Sequence, residues 1–187
     1  MKTSKKAKVK IDKADKALFD GKWFSNGYFM ILGAVANLSD KSLQGVIDAG
    51  IPFSRTSDEV IKTGEDACVP DMSILINSAA KENDDVVTIT DLTYRSSGEY
   101  DFRVCTRTDG VVCINDHYTS ILSLGACYQS NDNWQKRNSS IAVYGIDGLV
   151  ALVMPVRIGE SRLEEEIVQV HDAFEAMNEE GKQPCDK

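Results

Sequence analysis

The sequence predicts an α+β fold: antiparallel sheets with one or two helices packed on a sheet face. Three observations predict it. Runs rich in β-branched and aromatic residues recur, such as residues 86–94 (VVTITDLTY) and 100–107 (YDFRVCTR). Asn26-Gly27, Asp109-Gly110 and Asp147-Gly148 punctuate such runs, and these dipeptides supply the positive φ that tight hairpin turns demand. Strand and helix patterns do not alternate in the way a parallel sheet requires.

In chain order, residues 1–16 read as a flexible tail with seven lysines against Asp12 and Asp15, about +5. Residues 17–158 form the folded domain. Its first element is a hairpin over residues 19–33 (FDGKWFSNGYFMILG), turning at Asn26-Gly27. Residues 39–49 (SDKSLQGVIDA) suit a helix capped by Ser39, with Leu43, Val46 and Ile47 on one face and Gly50 as its stop. Residues 51–83 carry few signals beyond a short strand at 74–76. Residues 86–94 and 100–107 pair around a turn at 96–99, and Asp109-Gly110 leads into a short strand at 111–114. Asn115 or Asp116 then caps a helix over residues 117–128, in which Tyr118, Ile121, Leu122 and Leu124 recur at helical spacing. A polar loop around Trp134 precedes the closing hairpin, residues 140–158 (SIAVYGIDGLVALVMPVRI). Its last strand must end at Pro155 or run along an edge, because proline has no N–H for a ladder. Residues 159–187 follow as an acidic amphipathic helix and tail. Ser161 and Glu164 make a capping box, and Leu163, Ile167, Val170, Phe174 and Met177 form an apolar stripe. That stripe suits packing on its own domain, a partner, or a second copy.

Bulk properties narrow the function. The 187 residues are 42% hydrophobic with a net charge of −8, which suits one globular domain and opposes uniform wrapping of nucleic acid. No apolar run approaches the length of a membrane span, and the basic start has no apolar stretch of signal-peptide type behind it. A cytoplasmic location is expected, with the five cysteines reduced and mostly buried, since none forms a CxxC pair. No catalytic residue, metal site or cofactor is expected. Cys113 lies four residues before His117, but a strand-buried thiol with no third orienting group makes poor catalytic machinery. No cluster has metal-ligand spacing, and there is no glycine-rich phosphate loop.

Three phrases together, FDGKWFSNGYFMI, VCINDHYTSILSL and IAVYGIDGLVALVMPVRI, resemble in order and spacing the bacterial DNA polymerase sliding-clamp (β-clamp) family, including its phage members. The resemblance spans residues 19–158, with a poorly matched stretch at 51–83. It implies a twofold arrangement of helices on sheets. It also implies a non-enzymatic part in DNA replication: recruiting polymerase or repair proteins through short apolar peptide motifs. By this resemblance, Leu152, Met154, Pro155, Val156 and Arg157 would line the peptide pocket. The chemistry suits the role, because Met adapts to varied apolar anchors, Pro stiffens the strand end and Arg offers a planar fork to a carbonyl or carboxylate. The length allows one clamp domain, so a ring around double-stranded DNA would take several copies of the chain. Lys5, Lys6, Lys8 and Lys10 are the candidates for phosphate contact. The competing reading is an acidic phage-encoded interaction protein that inhibits a host enzyme or defence system, consistent with a pI near 4.8.

Overall fold

The computed structural model describes residues 8–11, 16–56, 61–81, 84–95, 101–108, 110–130, 139–156 and 169. The fold is α+β with mostly antiparallel sheets, as expected. The first strand, β1 (Val9–Ile11), falls inside the stretch expected to be a flexible tail. Val9 and Ile11 are buried, and β1 runs parallel to β5 (Ala36–Leu38). The folded part therefore begins earlier than residue 17.

Next come β2 (Ala17–Phe19), β3 (Trp23–Ser25) and β4 (Phe29–Leu32), joined by tight turns. In the first turn the Asp20 carboxylate accepts from the amides of Lys22 and Trp23, and Gly21 takes φ 98°. The second is the expected Asn-Gly turn. Helix α1 (Lys41–Asp48) follows β5 and is capped by Asp40, one residue beyond the expected Ser39. It ends in a Schellman arrangement: Gly50 has φ 68°, the Ile51 amide donates to the Val46 carbonyl and the Gly50 amide to that of Ile47. Residues 51–83 hold β6 (Phe53–Arg55), β7 (Lys62–Thr63) and a helical turn, α2 (Ser73–Asn77). Residues 74–76 are thus helical, not the strand their three apolar side chains suggested.

The second half contains β8 (Asp85–Val86), β9 (Thr88–Arg95), β10 (Asp101–Arg107) and β11 (Gly110–Asn115). Asn115 caps a 3-10 turn over Asp116–Tyr118, followed by α3 (Thr119–Leu122). The helix expected over 117–128 therefore ends at Leu122, and β12 (Ala126–Gln129) takes up the rest. Gly125 lies between them at a close approach only glycine allows, because a Cβ there would collide with the Tyr144 carbonyl oxygen. Strands β13 (Ile141–Gly145) and β14 (Gly148–Val153) form the closing hairpin. Gly145 pairs with Gly148, and of the turn residues only Gly148 has positive φ, at 110°.

A nine-stranded sheet in the order β7-β6-β2-β3-β4-β14-β13-β12-β8 is the frame. One face carries Phe24, Ile31, Phe53, Val143 and Ala151. It is covered by Leu43 and Ile47 of α1, by Ile121 and Leu122 of α3, and by the inner face of a three-stranded sheet, β11-β10-β9, through Cys105, Val112 and Ile114. The opposite face, with Trp23, Met30, Ala142 and Leu152, is covered by Met72, Ala79 and Ala80. Strands β4 and β14 are thus buried on both faces, and their sequences read as continuous apolar runs, without alternation. The polypeptide crosses from the large sheet to the small one at Val87, whose amide donates to the Cys127 carbonyl just before β9 begins.

Candidate functional site

The end of β14 is where two distant parts of the chain and both sheets meet. β14 pairs with β4, placing Val153 opposite Phe29. The Met154 amide extends the ladder by one bond, donating to the Tyr28 carbonyl at 2.9 Å. Pro155 has no amide to give and breaks the ladder. The Val156 amide then donates to the Cys113 carbonyl at 2.8 Å, on the edge strand β11 of the small sheet. Pro155 is therefore the point at which the chain leaves one sheet for the other.

Tyr28 owes its position to the β3–β4 turn. The Asn26 side-chain oxygen accepts from the amides of Tyr28 and Phe29 at 3.0 and 3.1 Å, and Gly27 has φ 90°. This asparagine-closed turn leaves the Tyr28 ring 65% exposed, beside Met154, which is 41% exposed. The other face of this sheet corner is aromatic. Phe29 packs edge-on against Tyr118 at 5.2 Å, and Tyr118 meets His117 at 5.7 Å. Burial raises the Tyr118 phenol above its usual range, opposed by its bond from Asn26. The result is an apolar ledge of Tyr28, Met154 and Pro155.

Of the pocket residues the resemblance implied, the structure leaves Met154 exposed and Pro155 and Val156 half-buried. Leu152 is 4% exposed and faces Trp23, Met30 and Met72, so it is a core residue and does not line a surface pocket. The alternation of β14 decides this, since Leu152 points away from the face that carries Ala151 and Val153. Val156 packs on Phe102, Val104 and Cys113. Arg157 lies outside the described residues, as do Lys5 and Lys6, and Leu163, Ile167, Val170, Phe174 and Met177. Lys8 and Lys10 are exposed, Lys10 projecting from β1. Sequence reasoning missed Tyr28. The Asn26-Gly27 signal locates it at a turn, but only the pairing of β4 with β14 brings it to Met154.

The described thiols that face the core are poor nucleophiles. Burial pushes Cys105 up to about 12 and Cys127 up to about 11. Cys113 lies in an apolar cluster, whereas the His117 ring is exposed. Among the described residues no group of three or more His, Cys, Asp or Glu is placed to hold a metal ion, and no helix is long and apolar enough to cross a membrane. No protein-family model, curated protein or solved structure matches the chain.

Proposed function

We propose that the protein is a non-enzymatic recruitment module that docks a short apolar peptide from a replication or repair protein on the Tyr28–Met154–Pro155 ledge. One observation carries this reading. Two large, exposed apolar side chains, distant in sequence, stand on backbone partners joined by a hydrogen bond where β4 and β14 end. A flexible thioether beside an amphipathic ring suits apolar anchors of varied shape. The replication class rests on the resemblance of the closing hairpin and its Met-Pro-x-Arg end to the sliding-clamp family. That resemblance further suggests a cytoplasmic protein acting as a ring of several copies on duplex DNA. The single turn of α3 offers little of the basic helix that a DNA-lined channel needs.

The test is titration of a fluorescent Gln/Leu-rich polymerase peptide. Met154→Asp and Tyr28→Asp, both at exposed positions, should each weaken binding at least about tenfold, or 1.4 kcal/mol, with the melting temperature unchanged. Unchanged affinity in both variants contradicts the docking reading. Sedimentation mass and the salt slope of duplex binding test the ring separately: a monomer indifferent to DNA removes the ring and leaves the peptide dock standing.

A further inference from the structure

We infer that Asn26-Gly27 is a covalent modification site: the β3–β4 turn restrains a spontaneous conversion of Asn26 to isoaspartate, and that product parts Tyr28 from Met154. The effect on the ledge rests on the docking reading; the reaction does not. Asn26 is the one asparagine in the sequence followed by glycine. A glycine leaves the main-chain nitrogen uncrowded, and nothing lies within 4 Å of where a Cβ of residue 27 would stand. The reaction needs only water. The Gly27 nitrogen gives its proton to hydroxide and attacks Asn26 Cγ. The N–Cγ bond forms, the Cγ–Nδ2 bond breaks, and Nδ2 leaves as ammonia with a proton from water, which restores the hydroxide. Water then opens the succinimide ring at either carbonyl. One opening gives aspartate. The other gives isoaspartate, whose main chain runs through Cβ and Cγ and is longer by one carbon. Nothing is oxidised or reduced.

The folded turn restrains each atom that must move. Asn26 Oδ1 accepts from the Tyr28 and Phe29 amides at 3.0 and 3.1 Å, and Nδ2 donates to the Tyr118 hydroxyl at 3.5 Å. Attack requires the carboxamide to turn its flat face towards the Gly27 nitrogen, which strains all three bonds. The Gly27 amide donates to Ser25 Oγ at 3.1 Å, and Ser25 Oγ donates to the Phe29 carbonyl at 2.9 Å, so the proton that must leave is held inside the turn. Reaction therefore proceeds through local opening. The products differ in what they do next. The Asn26 amide donates to the Phe29 carbonyl at 3.3 Å, which leaves Gly27 and Tyr28 alone to make the loop. An added main-chain carbon in so short a loop displaces Tyr28, whose carbonyl then no longer meets the Met154 amide. Aspartate keeps an oxygen for the Tyr28 and Phe29 amides and, being charged, accepts from them more strongly. Only isoaspartate dismantles the ledge.

The reaction is followed in the full-length chain by ageing it in mildly alkaline buffer, with and without denaturing urea. Mass spectrometry of the tryptic peptide of residues 23–41, fragmented to separate Asn26 from Asn37, reads the rate. Conversion at Asn26 should be at least about tenfold slower in the folded protein than in urea. Ser25→Ala, which removes the acceptor of the Gly27 amide, should raise the folded rate about threefold and leave the rate in urea unchanged. A folded rate equal to that in urea, or a folded rate unmoved by Ser25→Ala, overturns the inference. The product is tested without any peptide partner, so a failed dock leaves the result intact. Aged protein carrying isoaspartate at position 26, identified by protein isoaspartyl methyltransferase, should show a displaced Met154 methyl signal, and Asn26→Asp should show it in place. A signal in place in the aged protein, or displaced equally in Asn26→Asp, overturns the assignment of the product.

Discussion

Gly125 shows how much a single hydrogen atom decides in this molecule. Its Cα lies so close to the Tyr144 backbone that a methyl group would collide with the carbonyl, and backbone cannot swing aside as a side chain can. Gly125→Ala should destabilise the protein by at least about 2 kcal/mol, read as a lower urea midpoint with an unchanged slope. The thiols give a second residue-scale prediction. Cys105 titrates near 12 when folded against an ordinary 9.0, and a folded pKa raised by burial means the folded state holds its proton longer. The stabilisation is complete below pH 9.0 and is lost as pH rises towards about 12. Across that window stability should fall by about 1.4 kcal/mol per pH unit for this thiol. Cys105→Ala should remove that share of the slope, whatever it does to stability at neutral pH. Denaturant titrations at pH 8, 9, 10 and 11 measure both. An equally steep decline in the variant would falsify the assignment.

Among the elements, the corner where β8 gives way to β9 is the most exposed to damage. Arg107 of β10 donates to Asp85 of β8 at 2.7 Å and to Gln129 of β12 at 2.8 Å, tying the small sheet to the large one. The Arg107 and Asp85 side chains are only 5% and 16% exposed. Asp85→Ala removes a carboxylate bonded to a buried guanidinium and should cost about 3–5 kcal/mol; thermal unfolding measures it, and a loss below 1 kcal/mol would show that the pair behaves like a surface one. Elements were legible where local chemistry speaks for itself. Asn26-Gly27 turns the first hairpin, Gly50 stops α1, and β10 and β11 sit where their β-branched runs put them. Legibility failed for physical reasons too. Strands β6 and β7, with three and two residues, are too short to show a period. Helix α2 buries none of its residues, so its Ile74 and Ile76 carry no helical stripe. The apolar spacing of Tyr118, Ile121 and Leu122 is satisfied by one turn, and the stop at Gly125 outweighs its continuation through Leu124.

At the scale of the whole molecule, the fold class followed from the turn dipeptides and β-rich runs. The strand order did not, because β4 and β14 are neighbours in space yet lie at opposite ends of the chain. The candidate site was half legible for the same reason. Met154 and Pro155 were readable as a strand end, whereas Tyr28 joins them only through that long-range pairing, and Leu152 is withdrawn by a sheet face that has its own cover. The Tyr28–Met154 ledge as a peptide dock is the claim on which the functional account stands. It is tested most directly by labelling the methionine methyl groups with carbon-13 and following them by NMR as the polymerase peptide is added. Met154 should shift progressively and saturably, while the buried Met30 and Met72 stay still. A peptide that binds with the Met154 signal unmoved, or one that fails to bind at all, would contradict it.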